Sequence, residues 1–256
     1  MISELALIKL GGSIITNKDV PLSANFSAIT RIVKTLSHLR IPIILVHGGG
    51  SFGHYWSLKY DMHSAPKAYD PHGIGVVHSS MITLNRIIIE SMLDQNMNPY
   101  SLPPTGLVLN NRPILKKILE LSLMAKAKIT PVTFGDIVYR NHLKFSILSG
   151  DELMTLIATV LKPNRIIFAI NVDGIYNNMQ DKQLVQVFEN KNPVKFLKVK
   201  ADVTGGMVRK VREALKISKL GLDVWLVNGL KPERIAKILH NEKPEGKVIK
   251  GKKGIT

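Results

Sequence analysis

Lysines set beside paired glycines are the residues of this sequence whose types and spacing could do chemistry. Lys9 precedes Gly11 and Gly12 in KLGGS, Lys18 lies seven residues beyond Gly11, and Lys210 lies four residues after Gly206 in DVTGGMVRK. Two further segments, HGGGSFGH (47–54) and LSGDE (148–152), set glycines beside histidine and carboxylate. Glycine turns leave backbone N–H groups free, and helix N-termini add partial positive charge, so glycine combined with lysine suits the holding of phosphate. Taken singly, a glycine pair also reads as an ordinary turn, and a lysine as a solvated surface charge. Lys9 is different, because it interrupts the apolar run LALIKL. A buried ammonium needs an anionic partner.

HGGGSFGH admits two chemistries. Gly48, Gly50 and Gly53 fit G-x-G-x-x-G after the apolar run IPIILV (41–46), the spacing of a dinucleotide loop. That reading needs a second strand ending in an acid about 20 residues on. Asp70 has the distance, but its setting, SAPKAYDPHG, has prolines on both sides and no apolar run before it. The spacing G-x-x-x-x-G-K-[ST] of a P-loop is absent. His47 directly follows the strand and reads as structural. His63, His72 and His78 show no ligand spacing, so no protein metal site is expected.

Elements that would position these groups alternate along the chain. LALIKL (5–10), IPIILV (41–46), KITPVTF (128–134), LKFSIL (143–148), RIIFAIN (165–171) and VWLVNG (224–229) read as strands. Helical spacing appears in Asn25–Arg40, with Ile29, Ile32, Val33, Leu36 and Leu39 on one face, and in about Val76–Asp94, with Val77, Met81, Leu84 and Ile88. Further helices are expected from near Pro113, over 151–161, 207–220 and 232–239. Repeated strand–helix units imply α/β: a mainly parallel central sheet covered on both faces, a three-layer αβα sandwich. In such sheets ligands sit beyond the C-terminal strand ends, where the glycines fall. One unit over 1–256 is expected, with lobes 1–170 and 171–256 meeting in the irregular stretch 172–200.

Composition narrows the classes. At 256 residues, 45% hydrophobic and 21% charged, the chain is globular in type. It has no cysteine, which excludes disulfides and thiolate metal sites and fits a reducing cytoplasm. No apolar run reaches the length of a membrane span or signal segment. The formal charge of +16 leaves two readings open, a nucleic-acid binder or a basic enzyme for phosphates. The lysines are scattered, with no arginine-rich arm and no aromatic–basic alternation.

KLGGS, HGGGSFGH, SGDE, NVDGIY (171–176) and TGGMVRK, in that order, resemble the amino acid kinase superfamily. Within it, a glycine loop closed by histidine is similar to that of the isopentenyl phosphate kinases. The resemblance implies a usually dimeric enzyme using ATP and Mg²⁺, which phosphorylates isopentenyl phosphate. Kinases for fosfomycin or UMP are the neighbouring alternatives. It implies catalytic roles for Lys9, Lys18, His54, Asp151 and Lys210. ATP would meet Lys9, Gly11, Gly12, Ser13, Gly50, Asp173, Gly205, Gly206 and Lys210. The acceptor would meet Gly49, His54 and Gly150. Small phosphates are the implied partners, with no nucleic acid and no membrane.

Overall fold

Strand β1 (Ala6–Leu10) is buried along its whole length, as its apolar run requires. The computed structural model to which it belongs describes residues 4–62, 70–110, 112–140, 144–173, 187–188 and 205–251. His63, the second half of NVDGIY, residues 202–204 before the last glycine pair, and nearly all of 172–200 lie outside the described residues.

A short turn of helix, α1 (Gly12–Ile15), follows β1, then α2 (Phe26–Ser37), whose Asn25 side chain accepts from the Ala28 N–H as an N-cap. Next come β2 (Ile43–His47), α3 (Gly50–Lys59) and α4 (Pro71–Asp94). The helix α3 begins inside HGGGSFGH, which the sequence reading treats only as a loop. The helix α4 starts five residues earlier than its apolar spacing suggests. Asp70 accepts from the His72 and Gly73 N–H groups, and Pro71 occupies the first turn. The acid at the dinucleotide distance is thus a helix cap.

Strand β3 (Pro99–Ser101) precedes a small ladder of β4 (Val108–Leu109) and β5 (Arg112–Pro113), and α5 (Leu115–Lys126) follows. Pro113 belongs to that ladder rather than to the first turn of the helix. Then come β6 (Thr130–Phe134), the antiparallel pair β7 (Asp136–Arg140) and β8 (Lys144–Leu148), and α6 (Gly150–Leu161). The chain continues through β9 (Arg165–Ile170), β10 (Val187–Phe188), α7 (Gly205–Ser218), β11 (Val224–Asn228), α8 (Glu233–Leu239) and β12 (Lys247–Ile249).

The main sheet has eight strands in the order β10-β12-β11-β9-β1-β2-β6-β3. Among the described residues, only the β11–β12 pairing in it is antiparallel. Side chains of α5, α6 and α7 join Leu7, Ile44, Ile166 and Leu226 in one core. Side chains of α2, α4 and α8 join Ile8, Leu45, Ile167 and Val227 in the other. Alternate residues of each strand therefore enter opposite cores, which gives the three-layer sandwich. Lys9 falls in register with Leu7, on the α6 side.

Candidate active site

Strands β9, β1, β2 and β6 lie side by side and run parallel, so the glycine segments after β1, β2 and β6 emerge along one edge. The ladder runs on into them: Gly11 N–H donates to Ala169 O, Gly48 to Leu10 O and Gly135 to His47 O, at 2.9–3.1 Å. Backbone meets backbone here. A Cβ on Gly12 would come within 2.2 Å of Gly50 N, and one on Gly50 within 2.1 Å of Thr16 Oγ1. Gly50 also has φ +48, a conformation other residues adopt at a cost. Thr16 completes the junction: its hydroxyl donates to Gly12 O and accepts from the Ser51 N–H. Gly12 and Gly50 are therefore required by the contact between the two loops, whatever the loops hold.

These loops wall a cleft of about 700 Å³. Lys9, Gly12, Ser13, Lys18, Gly49, Gly50, His54, Gly150, Asp151, Gly206 and Lys210 all line it, so the structure brings together most of the residues singled out from sequence. Gly11 sits just behind, buried against β9. Gly205 opens α7 one residue before Gly206. Asp173 is placed differently. Its carboxylate accepts from Asn228 Nδ2 and Arg234 Nη1 and pairs with Lys231, and it does not line the cleft. Asn228, Lys231 and Arg234 hold its carboxyl below the usual range.

The anionic partner of Lys9 is Asp151, with Nζ 2.5 Å from Oδ1 and both residues at most 5% exposed. The carboxylate stands in the first turn of α6, where the helix dipole favours it. A capping box of Ser149 and Glu152 fixes that turn. Lys210 Nζ donates back to Gly206 O, and burial, then the charge of Lys9, lowers its pKa to about 8. One turn along, buried Glu213 of α7 accepts from Thr155 of α6, which ties the Asp151 end of α6 to the Lys210 end of α7. Lys18 and His54 are exposed at the rim.

The N-termini of α3, α6 and α7 reach the same cleft through Gly50, Gly150 and Gly206. His47 is wholly buried, stacked on Phe134 at 5.2 Å beside Asn85, and burial lowers its pKa to about 4. It is a neutral core residue.

Toward β6 the cleft changes character. Val77 and Met81 of α4 face Ile137 and Ile147 of the β7–β8 pair, while Leu84 is fully buried in the core. Several lining residues have no role in the sequence reading, among them Thr16, Asp19, Arg209 and Asp136. Arg209 was within sight, directly before Lys210. Asp136 follows a strand and a glycine, the same local signal as Asp151. The described residues contain no group of three His, Asp or Glu side chains able to hold a metal ion.

The profile of the amino acid kinase family matches residues 4–228. The chain belongs to the amino acid kinase family. Among amino acid kinases it is similar to the isopentenyl phosphate kinase of Thermoplasma acidophilum, 33% identical over 91% of this chain and 96% of the relative. It is 30% identical to the isopentenyl phosphate kinase of Methanocaldococcus jannaschii, over 93% and 96% of the two chains. A crystal structure of an isopentenyl phosphate kinase substrate complex superimposes with a TM-score of 0.79 at 30% identity, covering 96% of this chain and all of that one. The fold is the amino acid kinase fold that the motif resemblance implies, on the parallel sheet expected from the strand–helix alternation.

Proposed function

We propose that the protein transfers the γ-phosphoryl group of ATP to the phosphate of isopentenyl phosphate, giving isopentenyl diphosphate and ADP. One observation carries this reading: a single cleft is lined by Lys9, Arg209 and Lys210, whose charges act on one another, and by Val77, Ile137 and Ile147, which pack as one apolar cluster. That polarity suits an acceptor with an anionic head and a short hydrocarbon tail. Curated isopentenyl phosphate kinases among the relatives support the same substrate.

A phosphate monoester has its second pKa near 6, so its oxygen attacks as an anion at neutral pH without a general base. That oxygen forms a bond to Pγ as the Pγ–O bond to ADP breaks, and ADP leaves with the electron pair. The barrier is electrostatic, and oriented positive charge lowers it. Lys9 and the Gly11–Ser13 turn would face the β- and transferring phosphoryl groups. Lys18 would stabilise the charge in flight, and Lys210 with Gly205–Gly206 would neutralise ATP. Gly49, Gly150 and His54 would hold the acceptor phosphate, with Gly50 turned to ATP. Asp151 orients Lys9 and, through it, Lys210. Asp173, held by Arg234 and Lys231, would lie near the nucleotide.

In this reading residues 1–170 supply the acceptor half and 171–256 the nucleotide half of one domain. Mg²⁺ would arrive on the nucleotide phosphates, keeping waters as its other ligands. By the family's pattern the enzyme is a cytoplasmic homodimer, a state that sedimentation at micromolar concentration measures.

ADP release with ATP–Mg²⁺ and a panel of isopentenyl phosphate, dimethylallyl phosphate, fosfomycin and UMP tests the function. Turnover should favour isopentenyl phosphate, and His54→Ala should lower kcat/KM by about 10- to 100-fold, the loss of a charge-assisted hydrogen bond. Turnover confined to UMP or fosfomycin would overturn the substrate assignment.

A further inference from the structure

Among the described residues the β7–β8 pair stands apart from the main sheet and pairs only with itself. It nonetheless supplies Ile137 and Ile147, directly opposite each other in its register, to the apolar end of the cleft. Something must set how closely it lies on α4. Asp136, the first residue of β7, is buried with its side chain fully covered. Its Oδ2 is 2.6 Å from Nδ1 of His78 on α4, and its Oδ1 accepts from the Ile137 N–H at 2.8 Å. Hydrogen bonding to this carboxylate raises the His78 pKa, while burial pushes that of Asp136 up.

We propose that His78 and Asp136 form a latch that fixes the β7–β8 hairpin against α4 and thereby sets the length of acceptor tail the cleft takes. The latch lies one residue from each side of the tail wall: His78 follows Val77, and Asp136 precedes Ile137. Val77 and Ile137 pack together with Met62, with Ile147 and Phe145 against them. Both carboxylate oxygens of Asp136 are engaged, so the residue positions the wall rather than touching the reacting atoms. An apolar pair of like volume would stabilise such a buried spot at least as well. The ion pair adds direction: a short bond of defined geometry, which a slippery apolar contact lacks.

The inference rests on the apolar end of the cleft being the site of the acceptor's tail. Two measurements on His78→Ala separate it from that reading. His78 is 45% exposed in its side chain, so its removal leaves little cavity. In hydrogen exchange, amides of 137–139 and 145–148 should lose protection by about 10- to 100-fold, the equivalent of one charged hydrogen bond, while β1 and β2 stay unchanged. In turnover, KM for isopentenyl phosphate should rise more than kcat changes, and the kcat/KM ratio of geranyl phosphate to isopentenyl phosphate should rise about tenfold. Asp136→Asn, which keeps shape but not charge, should move both readouts less.

Unchanged hairpin exchange overturns the latch. Faster exchange with an unchanged acceptor ratio overturns its role in specificity. Absence of wild-type turnover with isopentenyl phosphate would sink the functional reading instead, and hairpin exchange would still decide whether the latch exists.

Discussion

Removing the Asp151 carboxylate should cost stability in a way that only Lys9 can explain. The two charges are 2.5 Å apart and almost wholly buried. At an effective dielectric of about 20, the attraction of such a pair is roughly 4–6 kcal/mol. Desolvation of both groups offsets much of it, so the pair itself is a modest net stabiliser. Asp151→Ala leaves the desolvation of Lys9 uncompensated, and breaking one side of a buried pair costs about 3–5 kcal/mol. In a chain this size that is a fall in Tm of roughly 6–20 °C. Urea unfolding of the wild type, Asp151→Ala, Lys9→Met and the double variant measures it. The double variant should be nearly as stable as Lys9→Met alone, a coupling of about 2 kcal/mol or more. Pyrophosphate, an anion for the same ammonium, should recover part of the loss in Asp151→Ala and add less to the double variant. Additive losses, or a cost under about 1 kcal/mol for Asp151→Ala, would falsify the claim that the carboxylate holds a buried cation.

Three further outcomes follow from the same geometry. His47 has a folded pKa of about 4 against 6.5 unfolded, so the unfolded chain takes up the proton first. Stability should fall as pH drops from 6.5 towards 4, by about 3 kcal/mol in total, and His47→Asn should remove that slope in urea titrations taken at successive pH values. Gly50→Ala meets both the positive φ and Thr16 Oγ1 at 2.1 Å. It should cost about 2–4 kcal/mol and raise KM for both substrates, whereas Gly75→Ala, which meets nothing within 4 Å, should be neutral or stabilising. Lys210, with a pKa of about 8, is charged below that pH and neutral above it. KM for ATP should therefore climb as pH rises through 8, and Lys210→Arg should flatten the climb. A KM independent of pH between 7 and 9 would show that this charge does not meet the nucleotide.

Much of the site was legible from order along the chain. Lys9 in a buried strand announces a buried anion, because no apolar core accepts a lone ammonium. The four glycine segments, placed after strands or before helices, announce one edge of a parallel sheet. Residue type and short-range spacing carry that information, since burial patterns repeat within a few residues. The strand at 165–170 and the helix at 207–220 were visible for the same reason.

Partners far apart in sequence were decided by the sheet alone. Asp151 meets Lys9 across 142 residues, and His78 meets Asp136 across 58. Asp136 shares the local signal of Asp151, but nothing local shows that it turns to His78, and nothing local shows that Asp173 turns to Arg234. The glycines of HGGGSFGH looked like a phosphate loop. In the fold Gly50 is needed first because its backbone lies against that of Gly12, with no room for a Cβ. That contact arises because β2 pairs beside β1 and ends level with it. Sequence determined which residues could carry charge, turn sharply or be buried. Tertiary packing determined which of them face each other, because strand order brings together segments that no local spacing relates.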